Sequence, residues 1–257
     1  MRDAIILVSF GSADDAIRAA TFDRLAAELR AQFPDFEVRE AFTSDFMIRK
    51  LSRRGVIVNT PAAEIADLRG AGVRKIFLLP THLTAGEEFD NKIATCAAPD
   101  VEVISPLMSE PLDPKILATV IDCFPREDDE DLVLIGHGSP HRHNPVYERL
   151  QTLAGADVHI GVIESTDTPN FADVIGRLGG RSAKKILLAP LLFNGGVHVT
   201  ADIDGDENSW RGRLTAHGYE VRVIRDGLGT FEGFRRLYVE RLGQRVSFTV
   251  TRREFSI

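Results

Sequence analysis

Four strings of residues in this chain recur in the same order, and that internal repeat restricts the fold more than any other feature. Leu7-Val8-Ser9-Phe10-Gly11-Ser12 returns as Leu134-Ile135-Gly136-His137-Gly138-Ser139. Glu40-Ala41-Phe42-Thr43-Ser44 returns as Gly161-Val162-Ile163-Glu164-Ser165, and Lys75-Ile76-Phe77-Leu78-Leu79-Pro80 as Lys185-Ile186-Leu187-Leu188-Ala189-Pro190. Val101-Glu102-Val103 returns as Tyr219-Glu220-Val221. The offsets run from 110 to 127 residues, so the chain reads as two similar halves.

Short apolar runs rich in Ile, Val and Leu recur along the chain, and the longer segments between them carry helical spacing. Strands are expected at 4–8, 36–42, 75–79 and 101–104, then at 132–135, 158–163, 185–188 and 219–224. Helices are expected at 16–33, 61–68 and 114–123, then at 145–153, 171–178, 209–217 and 231–242. Continuous apolar strands alternating with helices imply parallel sheets covered on both faces. The expected fold is α/β, with two similar lobes facing each other across a cleft. Residues 125–131 are acidic and turn-rich and read as a solvated linker. The lobes are therefore taken as 1–124 and 125–257, with the last helix and tail free to pack on the first lobe.

The 257 residues carry 31 Lys and Arg against 38 Asp and Glu, a net charge of −7, which argues against nucleic acid as a partner. The two cysteines, Cys96 and Cys123, form no CxxC pair and fit a reducing compartment. No apolar stretch approaches the length of a membrane span or a secretory signal. The expectation is a cytoplasmic protein with no membrane partner, and a homo-oligomer is compatible with it. No P-loop is present, which excludes ATP by that route. Gly227-Leu-Gly229-Thr-Phe-Glu-Gly233 has its third glycine one place late for a dinucleotide fingerprint and precedes the final helix, which excludes NAD. The Asp202-Ile-Asp204-Gly-Asp206-Glu-Asn208 run lacks the glycine and terminal glutamate positions of an EF-hand and reads as a solvated helix-start loop.

Ligands of open α/β sheets bind beyond the carboxyl ends of the strands. The repeat brings a distinctive set to those ends: Phe10 and His137 after the first strands, Thr43 and Glu164 after the second, Glu88 and His198 after the third. Two histidines and two glutamates suit a divalent transition metal, with carboxylates to take up protons. His141 and His143 extend the first histidine loop as weaker candidates. Arg49, Lys50, Arg53 and Arg54 form a basic cluster after the second strand, suited to a polycarboxylate. Phe10, Phe42, Phe46, Phe89 and Trp210 lie in the same loops. Most read as core, and one or two could pack on a flat ring.

At Val8-Ser9-Phe10-Gly11, Ala41-Phe42-Thr43-Ser44 with Ile48-Arg49-Lys50-Leu51, and His82 with Gly86-Glu87-Glu88-Phe89, the sequence resembles the class II chelatases. Gly136-His137-Gly138, Val162-Ile163-Glu164-Ser165, Gly196-Val197-His198, Asn208-Ser209-Trp210 and Gly227-Leu228-Gly229 extend the resemblance to about residue 242. It is strongest to the anaerobic cobalt-inserting group that acts on sirohydrochlorin in cobalamin biosynthesis. The resemblance implies metal ligands at His137, Glu164 and His198, with Glu88 as a further catalytic group. Phe10 and the basic cluster Arg49, Lys50, Arg53 and Arg54 are the expected contacts to such a ring. The implied reaction is ATP-independent insertion of a divalent metal, cobalt first, with iron or nickel as alternatives. Iron insertion into the same ring, as in siroheme synthesis, and a non-enzymatic metal or tetrapyrrole carrier are the competing readings.

Overall fold

A computed structural model describes residues 3–139 and 145–254, with side chains as far as Ser247. By internal contacts the chain separates into two compact units. The first runs to Ser109 and resumes at Arg235, and the second is Glu110–Phe234. The first contains β1 (Asp3–Ser9), α1 (Asp15–Ala20), α2 (Phe22–Gln32), β2 (Phe36–Phe42), α3 (Asp45–Ser52), α4 (Pro61–Gly70), β3 (Ile76–Pro80), α5 (Glu87–Lys92) and β4 (Val101–Val103). The second contains α6 (Pro114–Asp122), β5 (Glu130–Gly136), α7 (Val146–Leu153), β6 (Val158–Val162), α8 (Phe171–Gly179), β7 (Lys185–Pro190), α9 (Trp210–Ala216) and β8 (Glu220–Val223). A long final helix, α10 (Glu232–Glu254), starts at the end of the second unit and continues in the first.

The two sheets have the same strand order, β2-β1-β3-β4 and β6-β5-β7-β8, and all their pairings are parallel. Ala4 to Val8 and Leu132 to Ile135 are fully buried, as central strands covered on both faces must be. Each such Ile, Leu or Val contributes about 1.5–3 kcal/mol by leaving water. The two halves are therefore similar α/β units, as the repeat implies.

The hydrogen-bond register corrects the repeat in detail. Val8 pairs with Ala41 and Pro80, while Ile135 pairs with Gly161 and Pro190. The third-strand match holds, but the second slips by one residue. Ser44 N–H donates to the Phe10 carbonyl (3.2 Å) as Glu164 N–H donates to the His137 carbonyl (3.0 Å), so the counterpart of Glu164 is Ser44 and not Thr43. Ile76 faces Val101 where Ile186 faces Val221, which moves the fourth match by two. Short apolar strings align equally well at neighbouring offsets, whereas a one-residue slip exchanges the two faces of a strand.

Other expectations change for local reasons. The single helix at 16–33 is two helices, broken at Thr21, whose backbone N–H (3.1 Å) and hydroxyl (2.7 Å) both donate to the Ile17 carbonyl. The acidic segment is not wholly a solvated linker. Glu130 and Asp131 are buried inside β5 because each has cationic or imidazole partners: Arg222 for Glu130, and His159 and Arg181 for Asp131. The division of the chain falls before α6 rather than after residue 124. Ile116, Leu117 and Val120 of α6 are buried, and Phe124 packs edge-on against Phe231 at 5.3 Å within the second unit. Residues 245–254, with no assignment from sequence, continue α10. In the first unit Tyr238 is buried and donates to the Thr81 carbonyl (3.2 Å), and Arg235 pairs with Glu28 (2.7 Å). Among the described residues no helix is long and apolar enough to cross a membrane.

Candidate metal site

The carboxyl edge of the second sheet brings two imidazoles together. His137 follows β5 and His198 follows β7, strands that are hydrogen-bonded neighbours. Their rings lie 4.7 Å apart, centroid to centroid, at an interplanar angle of 83°. Both residues are exposed.

The β5 turn is built around glycine. Gly138 has φ +80°, and a Cβ there would come within 3.0 Å of the Glu164 Cβ and 3.1 Å of the Val162 Cβ. Its repeat counterpart, Gly11, also has positive φ, +108°. This left-handed turn is open to glycine at little steric cost. It carries the Gly138 carbonyl to 3.1 Å from His137 Nδ1. The buried Asp167 carboxylate accepts from Ser139 N–H (2.8 Å), and Glu164 N–H donates to the His137 carbonyl, so the β5 and β6 loops are fastened to each other. On the other side, His198 Nδ1 lies 2.8 Å from Asp202 Oδ2.

Glu164 is half-buried beside the imidazoles, and its carboxylate accepts from Thr166 Oγ1 at 3.3 Å. Among the described residues no three His, Cys, Asp or Glu side chains converge closely enough to hold a metal ion. The structure thus assembles the His137–His198 pair and leaves Glu164 turned to its own loop. His141 and His143 lie outside the described residues.

The corresponding edge of the first unit has different chemistry. Phe10, Ser44 and Glu88 occupy the positions of His137, Glu164 and His198. Glu88 sits in the first turn of α5, where Lys92 Nζ lies 3.4 Å from its Oε1 and donates to the Thr43 carbonyl at 2.7 Å. Its Oε2 is shielded from solvent and has no hydrogen-bond partner among the described residues. Lys92, absent from the sequence reading, is visible there only as the i+4 partner of Glu88. Arg49, Lys50 and Arg53 are exposed, whereas Arg54 is engaged by Asp15 and by the Ala13 carbonyl (2.6 Å). Of the aromatic candidates, Phe42, Phe89 and Trp210 are core residues, while Phe10 and Phe46 stand out at 46% and 61% exposure.

His82 has both ring nitrogens shielded and unpartnered among the described residues, and burial pushes its pKa down to about 4. An unfolded histidine titrates near 6.5, so between those values the unfolded chain binds more protons than the folded one. The stability of the first unit should therefore fall as pH drops from about 6.5 to about 4. His82→Gln should flatten that part of a urea-denaturation pH profile. An unchanged slope would contradict a neutral buried imidazole.

The acids of the 202–208 run have separate tasks, which disposes of a calcium loop. Asp204 is held by Arg211 and Arg225, and Asp206 accepts from Asn208 N–H (2.9 Å). Asp202 faces His198. The sequence signal for that contact is the four-residue spacing after a Gly-Gly turn.

The chain is similar to known proteins over nearly its whole length. Residues 3–247 match the family profile described as cobalt chelatase (CbiK). The chain is 25% identical to a sirohydrochlorin cobaltochelatase of Salmonella typhimurium, over 97% of this chain and 98% of the relative. It is 27% identical to the sirohydrochlorin cobaltochelatase CbiKC of Nitratidesulfovibrio vulgaris, over 96% and 91%. Among solved structures it is similar in fold to SirB from Bacillus subtilis with Fe3+, with TM-score 0.61 and 16% identity over 95% of each chain.

Proposed function

The chain belongs to the cobalt chelatase (CbiK) family, and from that membership we propose that it inserts cobalt(II) into sirohydrochlorin without ATP. The observation that carries this reading is the pair of exposed imidazoles 4.7 Å apart at the end of the second sheet. Neutral imidazole is a good ligand for divalent cobalt, nickel and iron. Two such ligands hold the ion while leaving positions open to the incoming pyrrole nitrogens. Glu164 joins them by turning from Thr166, as third ligand or as proton acceptor. Beside His198, Val197 is 71% exposed and offers an apolar face to a macrocycle.

Insertion breaks two pyrrole N–H bonds as cobalt–nitrogen bonds form. Both protons leave to bases, and the doubly deprotonated ring balances the charge of the metal. Glu164 of the second unit is the carboxylate assigned to that transfer, with Glu88 of the first as a second candidate, and general-base transfer needs the proton within hydrogen-bond reach. The exposed Arg49, Lys50 and Arg53 are assigned to the carboxylate arms of the ring, and Phe10 to its face. Arg54, already engaged by Asp15, leaves that set. Holding ion and ring together removes much of the entropic barrier to their meeting.

An anaerobic absorption assay tests the reading. Protein, sirohydrochlorin and cobalt(II), with no nucleotide, should convert the free-ring spectrum to the metallated one far faster than buffer does. Ring binding with no spectral acceleration would leave a carrier instead. Faster conversion with iron(II) at equal concentration would assign the enzyme to iron.

A further inference from the structure

We propose that Asp202 is a positioning residue that fixes the protonation of His198, so that its metal-facing nitrogen, Nε2, carries the lone pair. The inference deepens the reading above and rests on His198 as a metal ligand.

The geometry is specific. Val199–Ile203 form a single π-helical turn, closed by Asp204 N–H donating to the Val199 carbonyl at 2.8 Å, with His198 at its start. Such turns are uncommon and gather at functional sites. This one returns Asp202 to His198, Oδ2 to Nδ1 at 2.8 Å. A carboxylate oxygen here accepts, so Nδ1 holds the proton, and in the neutral imidazole Nε2 is then the bare nitrogen. The neighbouring ring obeys the same rule by another means. His137 Nδ1 lies 3.1 Å from the Gly138 carbonyl, which also only accepts. Both imidazoles are thereby left with Nε2 free to bind an ion. They differ in what stands behind them, a neutral carbonyl for His137 and an anion for His198. The carboxylate holds its imidazole in one orientation and one tautomer, as such partners do for ligating histidines.

The neighbouring acids do not share this part. Asp204 is taken by arginines, and Asp206 caps a turn.

The test uses the full chain, labelled with nitrogen-15 and free of metal. Ring nitrogen–proton correlation spectra should show His198 protonated at Nδ1. Asp202→Ala should shift it toward Nε2–H, the form favoured by an unconstrained imidazole, and weaken cobalt(II) binding about 10–100-fold in a titration without tetrapyrrole. Asp202→Asn keeps an acceptor but removes the charge, so it should preserve the Nδ1–H form with a smaller loss of affinity. Thermal unfolding of each variant separates these effects from misfolding. A wild-type His198 protonated at Nε2, or an Asp202→Ala protein with its tautomer unchanged and cobalt affinity within about twofold of wild type, would overturn the proposal. The expected tautomers in a protein that binds no cobalt(II) would leave Asp202 as the positioning residue and overturn the metal reading of His198 instead.

Discussion

His137→Ala and His198→Ala should each reduce cobalt insertion by about 100-fold or more while the protein stays folded. Loss of a hydrogen-bonded partner behind a metal ligand already lowers metal affinity or activity by about 10–100-fold, and loss of the ligand itself removes at least as much. Neither substitution should disturb the fold, because both rings are exposed and stand beyond the last strand residues. Substitutions at such positions usually change stability by about 0.5 kcal/mol or less. The double variant should be little worse than either single one, since the two imidazoles act as one site and effects within a site do not add. Steady-state rates at saturating tetrapyrrole, with cobalt(II) varied, separate lost affinity from lost turnover. Near-normal kcat/KM in both single variants would remove the imidazole pair from the mechanism.

How much of this was legible beforehand follows the range of the physics involved. The fold is readable from the central parallel strands, which must be apolar on both faces, and from the alternation of short strand runs with helical segments. The His137–His198 pairing was readable because the repeat placed both at carboxyl ends of strands. Residue identity alone does not carry register, so the sequence pairs Thr43 with Glu164 where hydrogen bonding selects Ser44. Nor does it carry partners distant in sequence. Glu130 and Asp131 looked like the end of a solvated acidic run because Arg222, His159 and Arg181 lie 28 to 92 residues away. Asp202 is silent for a similar reason: an acid in an acidic loop has no evident role until a π-turn brings it to His198.

Those buried acids set the second large effect. Asp131→Ala should destabilise the second unit by about 3 kcal/mol, toward the lower end of the 3–5 kcal/mol typical of breaking a buried ion pair. The carboxylate is buried and accepts from His159 Nε2 (2.9 Å), Arg181 Nε (2.8 Å) and Arg181 Nη2 (2.9 Å). Removing it leaves His159, whose Nδ1 already has no partner among the described residues, with both ring nitrogens unsatisfied inside the sheet. Arg181 is the milder loss, because its side chain is 34% exposed and water can replace the carboxylate. The pH dependence has a definite sign. Burial alone would raise the Asp131 pKa, but hydrogen bonds from Arg181 and His159 outweigh it and hold the carboxyl below its ordinary value. Its contribution is therefore present above about pH 3.9 and lost as pH falls through the lower folded pKa. Burial lowers the His159 pKa against the pull of Asp131, so the folded state favours neutral imidazole and loses stability as pH falls below about 6.5. Without Asp131 the imidazole is harder still to protonate. The variant should thus lose stability more steeply below about pH 6.5 and less steeply near pH 3 than the parent protein. Replacing both partners, Asp131→Leu with His159→Phe, should recover part of the loss, since apolar packing can substitute for a buried ionic contact. Urea denaturation at several pH values, followed by Trp210 fluorescence in the core of the second unit, reads these differences directly. Parallel profiles for parent and Asp131→Ala would show that the carboxylate carries no linked proton.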